Sequence, residues 1–192
     1  MATRKIILLR HGQYHKKTEN SSERLTKLGI KQAKFAGIRL KEYKINSIVH
    51  STMSRAVETA TVVKNLIKFK GKMKADDSLC ECVPGFPIKL RKKYKYTDVK
   101  KLNKHKAQAD IAFKKYFKNS RTNRTDLLVC HGNIIRYLIC KLLNTDTLSW
   151  VNLDIQQCGI CIVELRTKGS HRRVLISHND IGHIPLKMRT FI

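Results

Sequence analysis

Lys5-Ile6-Ile7-Leu8-Leu9-Arg10-His11-Gly12-Gln13 is the stretch whose reading decides the fold. Its short apolar run has the character of a buried strand, and Gly12 ends it. The strand delivers an arginine and a histidine side by side at its carboxyl end, the edge of an open α/β sheet at which ligands bind. Late in the chain Asp126-Leu127-Leu128-Val129-Cys130 repeats the arrangement and runs into His131-Gly132-Asn133. Two strand-end histidines, each followed by glycine, suggest one pocket built from both ends of the chain. A single histidine after a strand is more often a hydrogen-bonded turn residue, so the weight rests on what lies between the two.

Thr26 is placed as the N-cap of a helix with a small apolar face, Ile30, Ala33, Gly37 and Leu40. Ile45 to His50 reads as a second strand. Ser51-Thr52-Met53-Ser54 then caps a helix from Arg55 to about Phe69, which sets Arg55 in a first helical turn near a strand end. Cys80 to Pro87 is turn-rich, and Lys89 to Asn103 is basic and irregular. His105 to Tyr116 is helical, with Ala109, Ala112, Phe113 and Tyr116 on one side. A third strand, Asp126 to Cys130, leads into a helix from Asn133 to Leu143, with Asn133 as its simplest N-cap. Strands near Gly159–Leu165 and Arg173–Ile176 precede a final loop, Ser177 to Pro185. Strand–helix alternation without repeat or linker predicts a single α/β domain over 1–192. Its architecture would be a three-layer sandwich, a mainly parallel central sheet with helices on both faces.

The 192 residues carry 40 Lys and Arg against 14 Asp and Glu, a formal charge of +26. Such a balance attracts nucleic acid, anionic membrane surfaces or acidic substrates. The lysines are densest from Lys89 to Lys118, where a solvated face and a nonspecific nucleic-acid surface both fit. No apolar stretch is long enough to span a bilayer, and no secretory signal precedes the first strand, so a cytoplasmic setting is expected. The six cysteines then read as free thiols. Cys158 and Cys161 have CxxC spacing but lie in a stretch that reads as a strand, facing opposite sides. A zinc site shared with Cys80 and Cys82 competes with the simpler reading of small buried hydrophobes. No metal or cofactor is expected.

Arg10, His11, Arg55 and His131 all fall at strand ends or helix starts, with the loop bearing Glu81 able to reach over them. Two guanidiniums and two imidazoles around one point describe a site for a dianionic phosphoryl group. Arginine forks bind its oxygens in pairs, and helix amino ends add backbone donors. Such a site stabilises a transferring phosphoryl group without a metal.

Arg10-His11-Gly12, Leu25-Thr26-x-x-Gly29-x-x-Gln32-Ala33, Ser51-x-x-Ser54-Arg55-Ala56-x-x-Thr59-Ala60 and His131-Gly132 follow one another in this order. The series resembles the motifs of the histidine phosphatase (phosphoglycerate-mutase-like) superfamily. Gln13-Tyr14-His15, Ile48-Val49-His50-Ser51, Asn133-x-Ile135-Arg136-Tyr137 and Gly182-His183-Ile184-Pro185 narrow the likeness. They are similar to a mitochondrial Ser/Thr protein phosphatase branch, from Lys5 to about Arg189, although that branch's amino-terminal anchor has no counterpart here.

The resemblance implies that His11 is the nucleophile and carries a phosphohistidine. It implies that Arg10, Arg55 and His131 hold the phosphoryl oxygens, with Gly132 and Gln13 beside them. Glu81 would protonate the leaving oxygen and then deprotonate the attacking water. A phosphorylated substrate, in the first instance a phosphoprotein, and a homodimer are implied as well. The physical chemistry agrees: an alkoxide leaves poorly without a general acid, and His11 must be neutral to attack, which Arg10 and Arg55 favour by lowering its pKa. The chain departs from the family pattern at Lys17 and its neighbours, where many members have Asn. It departs again at Glu81-Cys82-Val83-Pro84, where the branch has Glu-Gly-x-Pro. A phosphoglycerate mutase, a small-molecule phosphatase and a nucleic-acid-binding protein on this fold remain as alternatives. Tyr14, His15 and His183 are candidates for the pocket border, His50 reads as structural, and Trp150 as a packing anchor.

Overall fold

The computed structural model describes residues 2–15, 23–92, 98–169 and 172–191. The apolar run forms β1 (Thr3–Arg10). Its pleat sends Ile6 and Leu8 to one face and Ile7 and Leu9 to the other, and all four are fully buried. A strand with no polar face must lie inside a sheet covered on both sides. The other strands are β2 (Ser47–His50), β3 (Lys74–Ala75), β4 (Arg124–Cys130), β5 (Ile160–Arg166) and β6 (Arg173–Asp180), in the order β3-β2-β4-β1-β5-β6. From β3 to β1 all pairings are parallel, whereas β5 and β6 close the other edge antiparallel.

Helices α1 (Lys27–Leu40) and α2 (Ser54–Leu66) pack against Ile7, Leu9, Leu127 and Val129. A single turn, α3 (Ile88–Arg91), precedes α4 (Val99–Tyr116). With α5 (Gly132–Leu142), α4 covers Ile6, Leu8, Leu128 and Cys130 on the opposite face. The three-layer, mainly parallel α/β architecture expected from the sequence is what forms.

Several local expectations change. Lys89 to Asn103 is not irregular throughout. Asp98 caps α4 by accepting from Lys101 N at 2.9 Å, and buried Leu102 extends the apolar stripe of Ala109 and Ala112 toward the amino end. Ser177–Asp180 is strand rather than loop, because β6 continues to pair with β5 as far as Ile160↔Asp180. Ile30 is exposed, and Gln32, Ala36 and Gly29 take the inner face of α1 instead. His131, not Asn133, is the N-cap of α5, and Asn133 Oδ1 accepts from Arg136. Cys158 stands in a turn at positive φ just before β5, yet Cys158 and Cys161 do face opposite cores. The position of Lys17, and the basic residues 93–96, lie outside the described residues.

The parallel register aligns the functional ends. His11 N donates to Cys130 O at 3.0 Å, and Ser51 N donates to Val129 O at 3.0 Å, so β1, β2 and β4 terminate level with one another. The loop after β1 then presses onto the first turn of α1. A Cβ on Gly12 would meet Gly29 O at 2.5 Å, and a Cβ on Gly29 would meet Gln13 O at 1.9 Å. Backbone lies against backbone here, and nothing can yield. Gly29→Ala is accordingly expected to destabilise the fold by about 2–4 kcal/mol, read as a lowered urea midpoint with unchanged slope.

Candidate active site

Arg10 and His11 arrive at the end of β1, and each is anchored through its backbone: Arg10 N donates to Gly159 O at 3.2 Å, and Cys158 N donates to His11 O at 3.2 Å. The His11 ring is buried. Its Nδ1 lies 2.8 Å from Gly12 O, a group that can only accept, so Nδ1 carries the hydrogen. Its Nε2 lies 3.2 Å from Arg55 Nε, a group that can only donate, so Nε2 carries the lone pair. The two bonds fix the same neutral tautomer. Burial is the first cause that pushes the His11 pKa well down, followed by Arg10, and with Arg55 adding to it. The arginines named from the sequence thus act second to desolvation.

Arg55 sits in the first turn of α2. Its Nη1 pairs with Glu23 at 2.8 Å, and its guanidinium lies 4.5 Å from the Tyr14 ring centroid. Thr59, one turn on, receives Gly12 N at 3.1 Å and donates to Arg55 O at 2.7 Å, tying the loop after β1 to this helix. The His131 ring is 5.0 Å from that of His11, and its Nε2 lies 2.8 Å from Ser51 Oγ. Burial, then the neighbouring His11 and the two arginines, hold His131 well below the usual histidine pKa. Two buried nitrogens, Arg10 Nε and His131 Nδ1, have no partner among the described residues. With the amino ends of α2 and α5 converging on the same point, the unmatched Arg10 Nε–H and the buried guanidiniums describe a receptor for an anion.

Beside them opens a cleft of about 280 Å³ lined by Arg10, Tyr14, Glu81, Gly132, Asn133, Arg136, Asp154 and Ile155. Gly132 lies against the Arg10 guanidinium, where a Cβ would stand 3.4 Å from Arg10 Cζ, an ordinary contact. Glu81 is partly exposed, and its Oε1 accepts from Cys82 N at 3.1 Å. Desolvation raises its pKa, against the pull of Cys82 N, Arg10, Arg55 and Arg136. Arg10, His11, Arg55, Glu81, His131 and Gly132 are therefore brought to one place. Gln13 stands apart, for its Oε1 accepts from Thr26 Oγ1 at 2.8 Å and its N donates to Gln32 Oε1 at 2.8 Å.

Tyr14 stacks edge-on to His11 at 5.2 Å, while His15 lines a separate groove with Arg24 and Glu58. His183 reaches back to Cys158 O at 3.1 Å, behind the end of β1, and His50 bonds Ser51 O at 2.9 Å. Trp150 is buried and donates to Gly85 O at 3.0 Å. Ser51, Asp154 and Arg136 were not singled out as site residues from the sequence. Arg136 follows Gly132 by four residues on α5, and that helical spacing is the one signal that could have found it. No group of three or more His, Cys, Asp or Glu with metal-holding geometry occurs among the described residues.

Comparison with known proteins agrees with this geometry. The model of the histidine phosphatase superfamily (branch 1) matches residues 6–86 and 88–180. The mitochondrial serine/threonine-protein phosphatase Pgam5 of Caenorhabditis elegans is 33% identical over 190 residues, and its Homo sapiens counterpart is 32% identical over 191. Each alignment takes in 96% of this chain, which spans 65% of the length of these relatives. Among solved structures, a phosphoglycerate mutase of Plasmodium falciparum superposes with a TM-score of 0.65 at 27% identity, covering 100% of both chains. A phosphoserine phosphatase of Entamoeba histolytica has a TM-score of 0.70 at 22% identity over 95% of this chain and 100% of its own, a likeness of fold. The cytoplasmic setting expected from the sequence is overturned by these relatives, which are named as mitochondrial proteins.

The depressed histidine pKa values have a consequence for stability. Below the ordinary histidine pKa of 6.5 an unfolded chain takes up protons at these imidazoles that the folded chain refuses. Stability should therefore be full above that pH and fall as the pH drops toward the folded values, by at most about 1.4 kcal/mol per pH unit for each imidazole. Urea titrations across this range should show a shallower decline for His131→Asn than for the unsubstituted protein.

Proposed function

Because the chain belongs to the histidine phosphatase superfamily (branch 1), we propose that it hydrolyses phosphomonoesters through a phosphohistidine on His11. The observation that carries this reading is the tautomer of His11, with Nδ1–H held by Gly12 O and the Nε2 lone pair turned to Arg55. An entering phosphoryl dianion takes over the Arg55 donor and engages Arg10 Nε, a donor otherwise without a partner, with the His131 ring beside it. Nε2 attacks phosphorus, the ester P–O bond breaks, and the leaving oxygen takes the proton of Glu81. Water then attacks phosphorus while giving a proton to the Glu81 carboxylate. The P–N bond breaks, its electron pair returns to Nε2, and phosphate departs with Glu81 protonated again. Gly132 lies beside the Arg10 guanidinium at the start of α5, and Gln13 acts by holding the loop against Thr26.

The relatives' names support a Ser/Thr phosphoprotein as substrate and a mitochondrial setting. The surface supports the former. Lys89, Lys92, Lys100, Lys101 and Lys104 are exposed along α3 and the start of α4, next to the loop of Glu81, and none of them pairs with a carboxylate among the described residues. A ridge of this kind attracts acidic sequence around a phosphosite.

Hydrolysis of p-nitrophenyl phosphate in the presence of EDTA tests the reaction. The protein should turn it over, and His11→Ala should reduce kcat roughly a thousandfold or more. Equal turnover by the two proteins would refute the mechanism. With a phosphoserine peptide, kcat/KM should fall on the alkaline side as Glu81 ionises above its ordinary 4.5, and Glu81→Gln should lack that limb.

A further inference from the structure

The loop that carries Glu81, from Cys80 to Pro87, belongs to no strand and to no helix. Its backbone groups must find partners elsewhere. Val83 N donates to His105 Nδ1 at 3.1 Å, and Gln108 Nε2 donates to Cys80 O at 2.9 Å. His105 and Gln108 are three apart on α4 and so share one face of it. Their two bonds bracket Glu81, one residue before it and two after it. On the opposite side Cys80 Sγ lies 3.3 Å from Ser51 Oγ and 3.2 Å from Thr52 Oγ1, and Ser51 in turn touches His131. Within the bracket Glu81 Oε1 is bonded to Cys82 N, so the carboxyl group travels with the loop backbone.

We propose that His105 and Gln108 are positioning residues that clamp the Glu81 loop onto α4, setting the carboxyl group at the distance from the leaving oxygen that proton transfer needs. The inference rests on Glu81 acting as the general acid. His105 must be unprotonated at Nδ1 to accept from Val83 N, which makes it the neutral Nε2–H form. Burial, with Lys101 and Lys104 beside it, favours that form by lowering its pKa. His105 continues the inner face of α4 between Leu102 and Ala109, with Gln108 at its margin, and both stay partly buried because the Glu81 loop, rather than the core of Ala109, Ala112, Phe113 and Tyr116, covers them.

A clamp on a general acid is distinguished from a structural contact by how its loss depends on the leaving group. A nitrophenolate leaves with little help, whereas the alkoxide of serine needs its proton. His105→Leu should reduce kcat on a phosphoserine peptide about tenfold or more, a part of the full general-acid effect. On p-nitrophenyl phosphate the loss should be under about threefold, with KM little changed on either substrate. His105→Asn, whose Oδ1 can accept in place of Nδ1, should restore most of the activity. His105→Leu should add no further loss in a Glu81→Gln background. Gln108→Met removes the other bond and should show the same leaving-group selectivity if His105→Leu does not fold. Equal losses on both substrates, no restoration by Asn, or additivity with Glu81→Gln would overturn the clamp while leaving Glu81 as the acid. Undiminished hydrolysis of the phosphoserine peptide by Glu81→Gln itself would overturn both.

Discussion

His11 Nδ1 gives its hydrogen to the carbonyl of the next residue, Gly12, over 2.8 Å. This bond keeps the ring in one tautomer, turns Nε2 toward Arg55 and the His131 ring, and makes the carbonyl's position as important as the imidazole's. The carbonyl is placed by a contact that tolerates no side chain, since the backbone at Gly12 and Gln13 lies directly against Gly29. Gly29 is in turn held by the cap of α1, where its N donates to Thr26 Oγ1 at 3.0 Å, and Thr26 also fastens Gln13. From the other side Gly12 N reaches Thr59, one turn beyond Arg55 on α2. The orientation of one imidazole thus depends on the end of β1, the start of α1 and the first two turns of α2.

The electrostatics of the site follow from gathering cations where water is excluded. Arg10 and Arg55 are buried beside two histidines in a chain of net charge +26. Desolvation and mutual repulsion leave the imidazoles neutral, as nucleophilic attack requires. Each arginine finds an acceptor, Arg10 the Ile155 carbonyl at 2.6 Å and Arg55 the Glu23 carboxylate. Each still faces an anion, through Arg10 Nε and through the Arg55 bond that a phosphoryl oxygen can take over. Glu81 is the exception among the site's ionisable groups, as burial holds its proton on while three arginines pull it off. That opposition suits a group that must give a proton in one step and take one in the next.

Much of this was legible in the sequence. An apolar run without alternation demands burial on both faces, and it placed β1 and β4 inside the sheet with their arginine and histidines at one edge. The order of motifs brought Arg55 to the same edge, and the family resemblance pointed to the loop of Glu81. What periodicity could not show was how far elements continue without an apolar pattern. The first turns of α4 were hidden among lysines because Leu102 alone marks their inner face, and the last residues of β6 were hidden by being polar on an edge strand. Ser51 and Arg136 were invisible as site residues because their roles come from partners distant in sequence, His131 for one and the Leu153 carbonyl for the other. Asn133 misled for a related reason: a residue type that commonly caps was placed one turn-position inside the helix, where Arg136 engages it.

Phosphoryl transfer to His11 depends on the protonation state of one ring. Long-range nitrogen–proton correlation spectra of protein labelled with nitrogen-15 at histidine, assigned with His11→Ala, would observe it directly at neutral pH. The expected result is a pyrrole-type Nδ1 bearing the hydrogen and a pyridine-type Nε2 without one, with Nε2 losing its pyridine character when the protein is trapped during turnover. An imidazolium at His11, or the reversed tautomer with hydrogen on Nε2, would contradict the account, because neither offers a lone pair to phosphorus.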